Sequence, residues 1–171
     1  MQTVDLTFAF AQDADAAAVA AVRLAAARDL TARFGTGTWS FALESEDAVH
    51  AELRSSAILM ARRGGAVLAT LRLATRNPWL GNVSFFTPCD RPLYLTSMAV
   101  APKWQRQGIG RLLIEEAKRV GARDLRGEAI RLDSYDASAG AGEFYLKCGF
   151  RAMRRAEYNG TPLIWFEHPL G

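Results

Sequence analysis

The sequence predicts a single mixed α/β domain over residues 1–171, and three observations carry that prediction. Apolar residues recur at helical spacing in the first third, paired β-leaning runs meet at Gly-Gly and Asn-Gly, and a strand-helix-strand succession occupies the second half. The length suits one core, because a chain of about 150 residues buries roughly 70% of its unfolded surface without disulfides or a structural metal. No linker, repeat or low-complexity stretch divides it.

Taken in order, Asp13 to Leu30 is alanine-rich with Val19, Val22, Ala26 and Leu30 on one face, which predicts a helix with Asp13 as its N-cap and Gly35-Thr36-Gly37 as the loop beyond. Ser45 to Ser55 predicts a shorter helix, opened by Ser45 with Glu46 and Asp47 at its positive end. Ala57 to Arg62 and Ala66 to Thr75 predict a hairpin through Gly64-Gly65. Asn77 to Pro92 holds three prolines and a glycine and predicts a long irregular connection, with Val83 to Phe86 as a brief strand within it. Leu93 to Val100 is a mostly buried strand stopped by Pro102. Gly108-Ile109-Gly110 opens a helix with Ile109, Leu112, Leu113, Ala117 and Val120 on one face, ending near Gly121. A strand at Ile130 to Ser134, a helix at Ala139 to Lys147 and a hairpin of Phe150 to Tyr158 with Leu163 to Phe166 complete the chain.

Composition narrows the function classes. Twenty-one Lys and Arg against 18 Asp and Glu give a net charge of +3, too small an excess to indicate nucleic acid. Cys89 and Cys148 are isolated from each other and from both histidines, so neither a zinc site nor a disulfide framework is expected, and a reducing setting fits. No apolar stretch reaches membrane-spanning length and no basic segment precedes the short apolar run after Met1, so neither a membrane span nor a secretory leader is expected and the cytoplasm is the default.

The chemistry concentrates in Leu95 to Arg111, where a strand runs into a loop with two glycines and three cations and a helix begins. Unpaired amides at a helix start form an anion site, and Gly108 and Gly110 let a pyrophosphate approach the backbone. Lys103, Arg106 and Arg111 add positive charge. Leu113 stands where a dinucleotide fingerprint has its third glycine, and no Gly-Lys-Ser/Thr element follows, so another phosphate-bearing ligand is needed.

Gln105-Arg106-Gln107-Gly108-Ile109-Gly110 resembles the Gln/Arg-x-x-Gly-x-Gly/Ala acetyl-CoA signature of the GCN5-related N-acetyltransferases. Val100-Ala101-Pro102 precedes it as in many members, and Phe144-Tyr145-Leu146-Lys147-Cys148-Gly149-Phe150 is similar to the family's later Phe/Leu-Tyr-x-x-x-Gly-Phe element. The resemblance is firm from Leu93 to Phe150 and rests upstream on element order. It implies a central, mostly antiparallel sheet with one splayed parallel pair and helices on both faces.

The same resemblance implies acetyl-CoA as co-substrate, without a metal. Met98, Ala99 and Val100 would pair with the pantetheine arm, and Gln105, Arg106, Gln107, Gly108, Ile109, Gly110 and Arg111 would cradle the pyrophosphate. The amide near Met98 would polarise the thioester carbonyl and Tyr145 would protonate the departing thiolate. Ser138 stands where relatives often hold a pantetheine-binding asparagine, and serine reaches less far. The general base is left open among Asp133, Asp136, Asp90 and water. Trp39 and Phe85 lie in irregular segments and are the candidate acceptor-binding residues. Cys148 is read as a small buried hydrophobe.

The function implied is transfer of an acetyl group to a primary amine by direct attack in a ternary complex. The acceptor is a small molecule, such as a polyamine or antibiotic, or a protein N-terminus or lysine. The alternative is a non-catalytic acyl-CoA-binding sensor, which would not need Tyr145. The terminal hairpin could leave a free strand for a homodimer.

Overall fold

The computed structural model describes residues 5–41 and 44–171, and the backbone falls into two compact units. The opening residues 1–4, weighed above for a leader, lie outside the described residues.

The first unit takes in Met1–Leu73 and Ser97–Ala117. It carries β1 (Leu6–Phe10), a 3-10 turn at Asp13–Asp15, α1 (Ala16–Phe34), α2 (Glu46–Leu53), β2 (Ala57–Arg63) and nearly all of β3 (Ala66–Ala74). The end of β4 (Pro92–Val100) and most of α3 (Ile109–Arg123) also belong to it. Its strand order is β1-β2-β3-β4. β1 pairs antiparallel with β2 from Leu6↔Arg63 to Phe10↔Leu59, and β2 pairs antiparallel with β3 across the expected hairpin, where Gly64 takes φ 60°. The core here joins Ala16, Val19 and Ala20 of α1 to Val49 of α2 and to Ile58 and Met60 of β2. Burial of each valine, isoleucine and methionine side chain in that cluster contributes about 1.5–3 kcal/mol. Ser45 caps α2 as its sequence predicts, its side chain accepting the Ala48 N–H at 3.1 Å.

The second unit takes in Ala74–Thr96 and Lys118–Gly171. Its strand order is β4-β5-β7-β6, with β5 at Ala129–Tyr135, β6 at Arg151–Tyr158, β7 at Thr161–Pro169 and α4 at Gly142–Lys147. β4 and β5 are parallel, registered over Pro92–Tyr94 with Ala129–Arg131, although both strands continue well past that point. β5–β7 and β7–β6 are antiparallel, the latter around Asn159-Gly160 at φ 48° and 80°. Four antiparallel pairings and the short parallel pair β4–β5 among the described residues fit the mixed, mostly antiparallel sheet expected.

One strand went unanticipated and three local expectations are corrected. Leu6–Phe10 is a strand, unremarked in the sequence because only its length as an apolar run drew notice. Asp13 is not the cap of α1: a capping box between Gln12 and Asp15 opens a 3-10 turn, and α1 starts at Ala16 and runs to Phe34. Val83 to Phe86 forms a turn, because Asn82 Oδ1 captures the Ser84 N–H at 2.8 Å and bends the chain locally. The helix expected from Ala139 begins only at Gly142, after a turn closed by the Gly140 N–H on the Ala137 carbonyl.

Candidate active site

In the first unit the site begins where β4 changes character. Ser97 takes φ 53°, a left-handed conformation unusual for a residue with a side chain and costing about 1–2 kcal/mol. Met98 and Val100 follow half-buried and Ala99 buried. The strand end is fixed by the Ala101 N–H on the Leu68 carbonyl (2.8 Å).

The loop is then closed by its own side chains. Gln105 Nε2 donates to the Val100 carbonyl and Gln107 Nε2 to the Lys103 carbonyl, both at 3.0 Å. Arg106 at φ 59° and Gly108 at φ 81° turn the backbone into α3, whose first i→i−4 bond is Leu112 N–H to the Gly108 carbonyl. The amides of Ile109, Gly110 and Arg111 precede that bond and sit at the positive end of the helix. Ile109 is buried and anchors the turn, whereas Arg106, Gln107 and Arg111 are exposed. A Cβ at Gly108 would meet nothing within 4 Å, so the space beside that backbone is open. Lys103 and Arg63 flank the Trp104 ring at 5.6 and 5.1 Å.

The second motif lies in the other unit. Tyr145, on α4, is 6% exposed and packs against Phe144, Phe150 and Phe166. Burial pushes its phenol upward, and the negative charge of Asp133 and the Cys148 thiol add to the shift. α4 is held by Ser134, whose hydroxyl accepts the Ala141 N–H at 2.9 Å. Ser138 is exposed in the preceding turn.

The three candidate carboxylates differ. Asp133, on β5, is half-buried; desolvation raises its pKa, partly opposed by the Trp79 indole N–H donating to Oδ2 at 2.5 Å. Asp136 pairs with Arg155 at 2.8 Å, and Asp90 is exposed. Cys148 is buried, as expected, with its carbonyl held by the Lys118 ammonium at 2.6 Å.

The candidate acceptor-binding residues separate as well. Trp39 belongs to the first unit, where its ring lies over Gly37. Phe85 belongs to the second and lines a cavity of about 220 Å³ with Trp79, Tyr158, Trp165 and Arg154. Ser97, Ser134 and the Trp79–Asp133 bond escaped sequence reasoning. A serine in a left-handed strand break has no sequence signal, and the Trp79–Asp133 bond spans 54 residues.

No curated protein sequence matches the chain significantly. Solved structures do. The backbone is similar to the PaiA N-acetyltransferase of Thermoplasma acidophilum in complex with coenzyme A, at 15% identity and TM-score 0.73 over 96% of this chain and 99% of that one. It is similar to an N-acetyltransferase of Staphylococcus aureus Mu50, at 15% identity and TM-score 0.72 over 98% and 99%. It is also similar to YncA of Salmonella typhimurium with its cofactor acetyl-CoA, at 17% identity and TM-score 0.69 over 97% and 94%. These likenesses concern the fold. The family model for acetyltransferases of the GNAT family matches residues 24–150, which include both motifs and the strands that carry them, and the chain therefore belongs to the acetyltransferase (GNAT) family.

Proposed function

We propose that residues 1–171 act as one cytoplasmic catalytic domain that transfers an acetyl group from acetyl-CoA to a primary amine by direct attack. The observation that carries this reading is the left-handed break at Ser97 followed by the glycine loop at the start of α3. Together they offer a strand edge for a pantetheine arm and a row of helix-start amides for a pyrophosphate. The open space beside Gly108 fits such a group.

Acetyl-CoA supplies the activated thioester. In this reading Met98, Ala99 and Val100 align the pantetheine, and Gln105 to Arg111 hold the diphosphate through backbone amides, with Arg106 and Arg111 adding charge. Gln105 and Gln107 act by shaping the loop, since their amides are committed to the Val100 and Lys103 carbonyls. The Met98 amide donates to the carbonyl oxygen as negative charge gathers there. Ser138 lies in the turn before α4 and offers its hydroxyl to the pantetheine.

Asp133 takes the proton released as the amine nitrogen bonds to the carbonyl carbon. Its raised pKa brings it closer to that task than an ordinary aspartate. Tyr145 gives a proton to the sulfur as the carbon–sulfur bond breaks. A phenol with a raised pKa remains protonated through neutral pH, as a donor must.

Calorimetric titration with acetyl-CoA, after removal of co-purified CoA, tests the assignment. Binding by the native chain and its loss in Gly108→Glu are expected. A folded, ligand-free protein that does not bind acetyl-CoA refutes it.

A further inference from the structure

Trp79 is fixed more firmly than its place in an irregular connection requires. The Asn77 side-chain oxygen accepts its backbone N–H at 2.8 Å, and the next amide, that of Leu80, donates to the Tyr158 hydroxyl at 2.9 Å. The residue is 7% exposed, its ring stacked on Phe86 at 5.6 Å between centroids and edge-on to Tyr94 and Trp165 at 5.5 and 6.4 Å. These contacts hold the indole in one orientation, and in it the ring N–H donates to Asp133 Oδ2 at 2.5 Å.

Strand register places the carboxylate. Asp133 of β5 pairs with Trp165 of β7, and Trp165 pairs with Arg154 of β6, so the three stand in one row on one face of the sheet. Asp133 also lies two residues beyond Arg131, where the registered pairing of β5 with β4 ends.

The charged groups around it are otherwise engaged. Arg131, on the same face, is taken up by Glu167 and Tyr94, and Arg154 lies 5.3 Å from the Phe85 centroid. Tyr135 of β5 and Tyr145 of α4 are phenols held protonated by burial and then by the Asp133 charge. Among the described residues no cation pairs with Asp133. Two opposed influences therefore act on it: burial favours the neutral acid, and the indole, which can only donate, favours the carboxylate. Without that N–H the carboxyl would keep its proton to higher pH and meet the amine with its acceptor site already filled. Ring packing alone supplies no such preference.

We infer that Trp79 is a positioning residue for the transfer: its indole N–H holds Asp133 Oδ2 in a charge-assisted hydrogen bond and leaves Oδ1 to take the proton of the attacking amine. The inference rests on the reading of Asp133 as the base and adds the residue that prepares it.

Two measurements test it. The carboxyl carbon of Asp133 is followed by NMR against pH in native protein and in Trp79→Phe, without acetyl-CoA. Thiol release from acetyl-CoA is followed against pH in both proteins with trifluoroethylamine, a primary amine so weakly basic that its own ionisation does not mask that of the enzyme. Losing a donor that favours the charged form raises the Asp133 midpoint by roughly one to two pH units, and the acid limb of kcat/KM moves up with it. A tryptophan that only packs would lower activity at every pH and leave both midpoints in place. An Asp133 midpoint unmoved in Trp79→Phe thus overturns the inference and spares the base reading. A midpoint that rises while the acid limb stays put shows that Asp133 is not the base, and the inference falls with that reading. Should Trp79→Phe fail to fold, native protein and Asp133→Asn decide. The Trp79 indole proton resonance is expected to shift at the Asp133 midpoint in the native chain and to stay constant in Asp133→Asn. An indole resonance indifferent to that midpoint overturns the inference.

Discussion

Replacing Glu167 with glutamine removes one charge from a buried pair while keeping the shape of the side chain. Arg131 Nε donates to Glu167 Oε2 at 3.0 Å, and the two side chains are 7% and 2% exposed. At an effective dielectric of about 20 the Coulomb attraction at that distance is roughly 5 kcal/mol. Breaking a buried pair by neutralising one member costs about 3–5 kcal/mol, because the other charge is left uncompensated. Arg131 keeps other contacts, among them the Thr87 carbonyl at 2.6 Å, Cys89 Sγ at 3.6 Å and the face of Phe86 at 4.7 Å, which favours the lower end, about 3 kcal/mol. For a chain of this length that lowers Tm by roughly 6–12 °C. Thermal and urea unfolding of Glu167→Gln supply the measurement. The double variant Arg131→Met/Glu167→Leu, with no buried charge left over, is expected to be more stable than the single one. A single-variant loss below about 1 kcal/mol, as for an exposed pair, or a double variant less stable than the single, refutes the argument.

Tyr145→Phe is expected to lower kcat by about 10²-fold or more while acetyl-CoA affinity measured by calorimetry persists; unchanged turnover removes the phenol from proton transfer. Asp133→Asn should abolish an acid limb in the pH profile of kcat/KM. Since burial raises the Asp133 pKa, the active, ionised form is gained as pH rises through a midpoint above the ordinary 3.8, and a profile identical in both proteins would assign the base elsewhere. Ser45→Ala removes the cap of α2 and should cost about 1 kcal/mol in urea unfolding, with a change near zero showing that the bond to Ala48 contributes nothing net.

What could be read in the sequence was what local chemistry decides. The Gly64-Gly65 and Asn159-Gly160 turns, the Ser45 cap and the glycine loop before α3 are each written within a few residues, and each is found in place. The chemistry-bearing motifs were legible for the same reason. Competing local bonds explain two of the failures: Gln12 with Asp15 displaced the expected cap, and Asn82 bent a run that β-propensity alone would extend. The rest was hidden by distance. The Trp79–Asp133 bond and the Arg131–Glu167 pair join residues 54 and 36 positions apart. The row of Asp133, Trp165 and Arg154 exists only once strand register is known, since a one-residue slip would turn each side chain to the other face.

The connection from β3 to β4 is irregular in shape yet laced down along its length. Trp79 is tied to Asp133, Leu80 to Tyr158, Thr87 to both Arg131 and Glu167, and the amides of Asp90 and Arg91 to Glu128. Each tether converts one long free loop into shorter spans, and the entropy of closing those spans is surrendered as the protein folds. A ligand that enters beside Trp79 and Phe85 therefore finds its walls already ordered, and little further chain freedom has to be lost on binding. It also follows that pocket affinity can be tuned from afar. A change at Glu128, which lines no part of the cavity, would slacken the far end of the loop and let the aromatic wall wander, weakening binding without altering a single atom that touches the ligand.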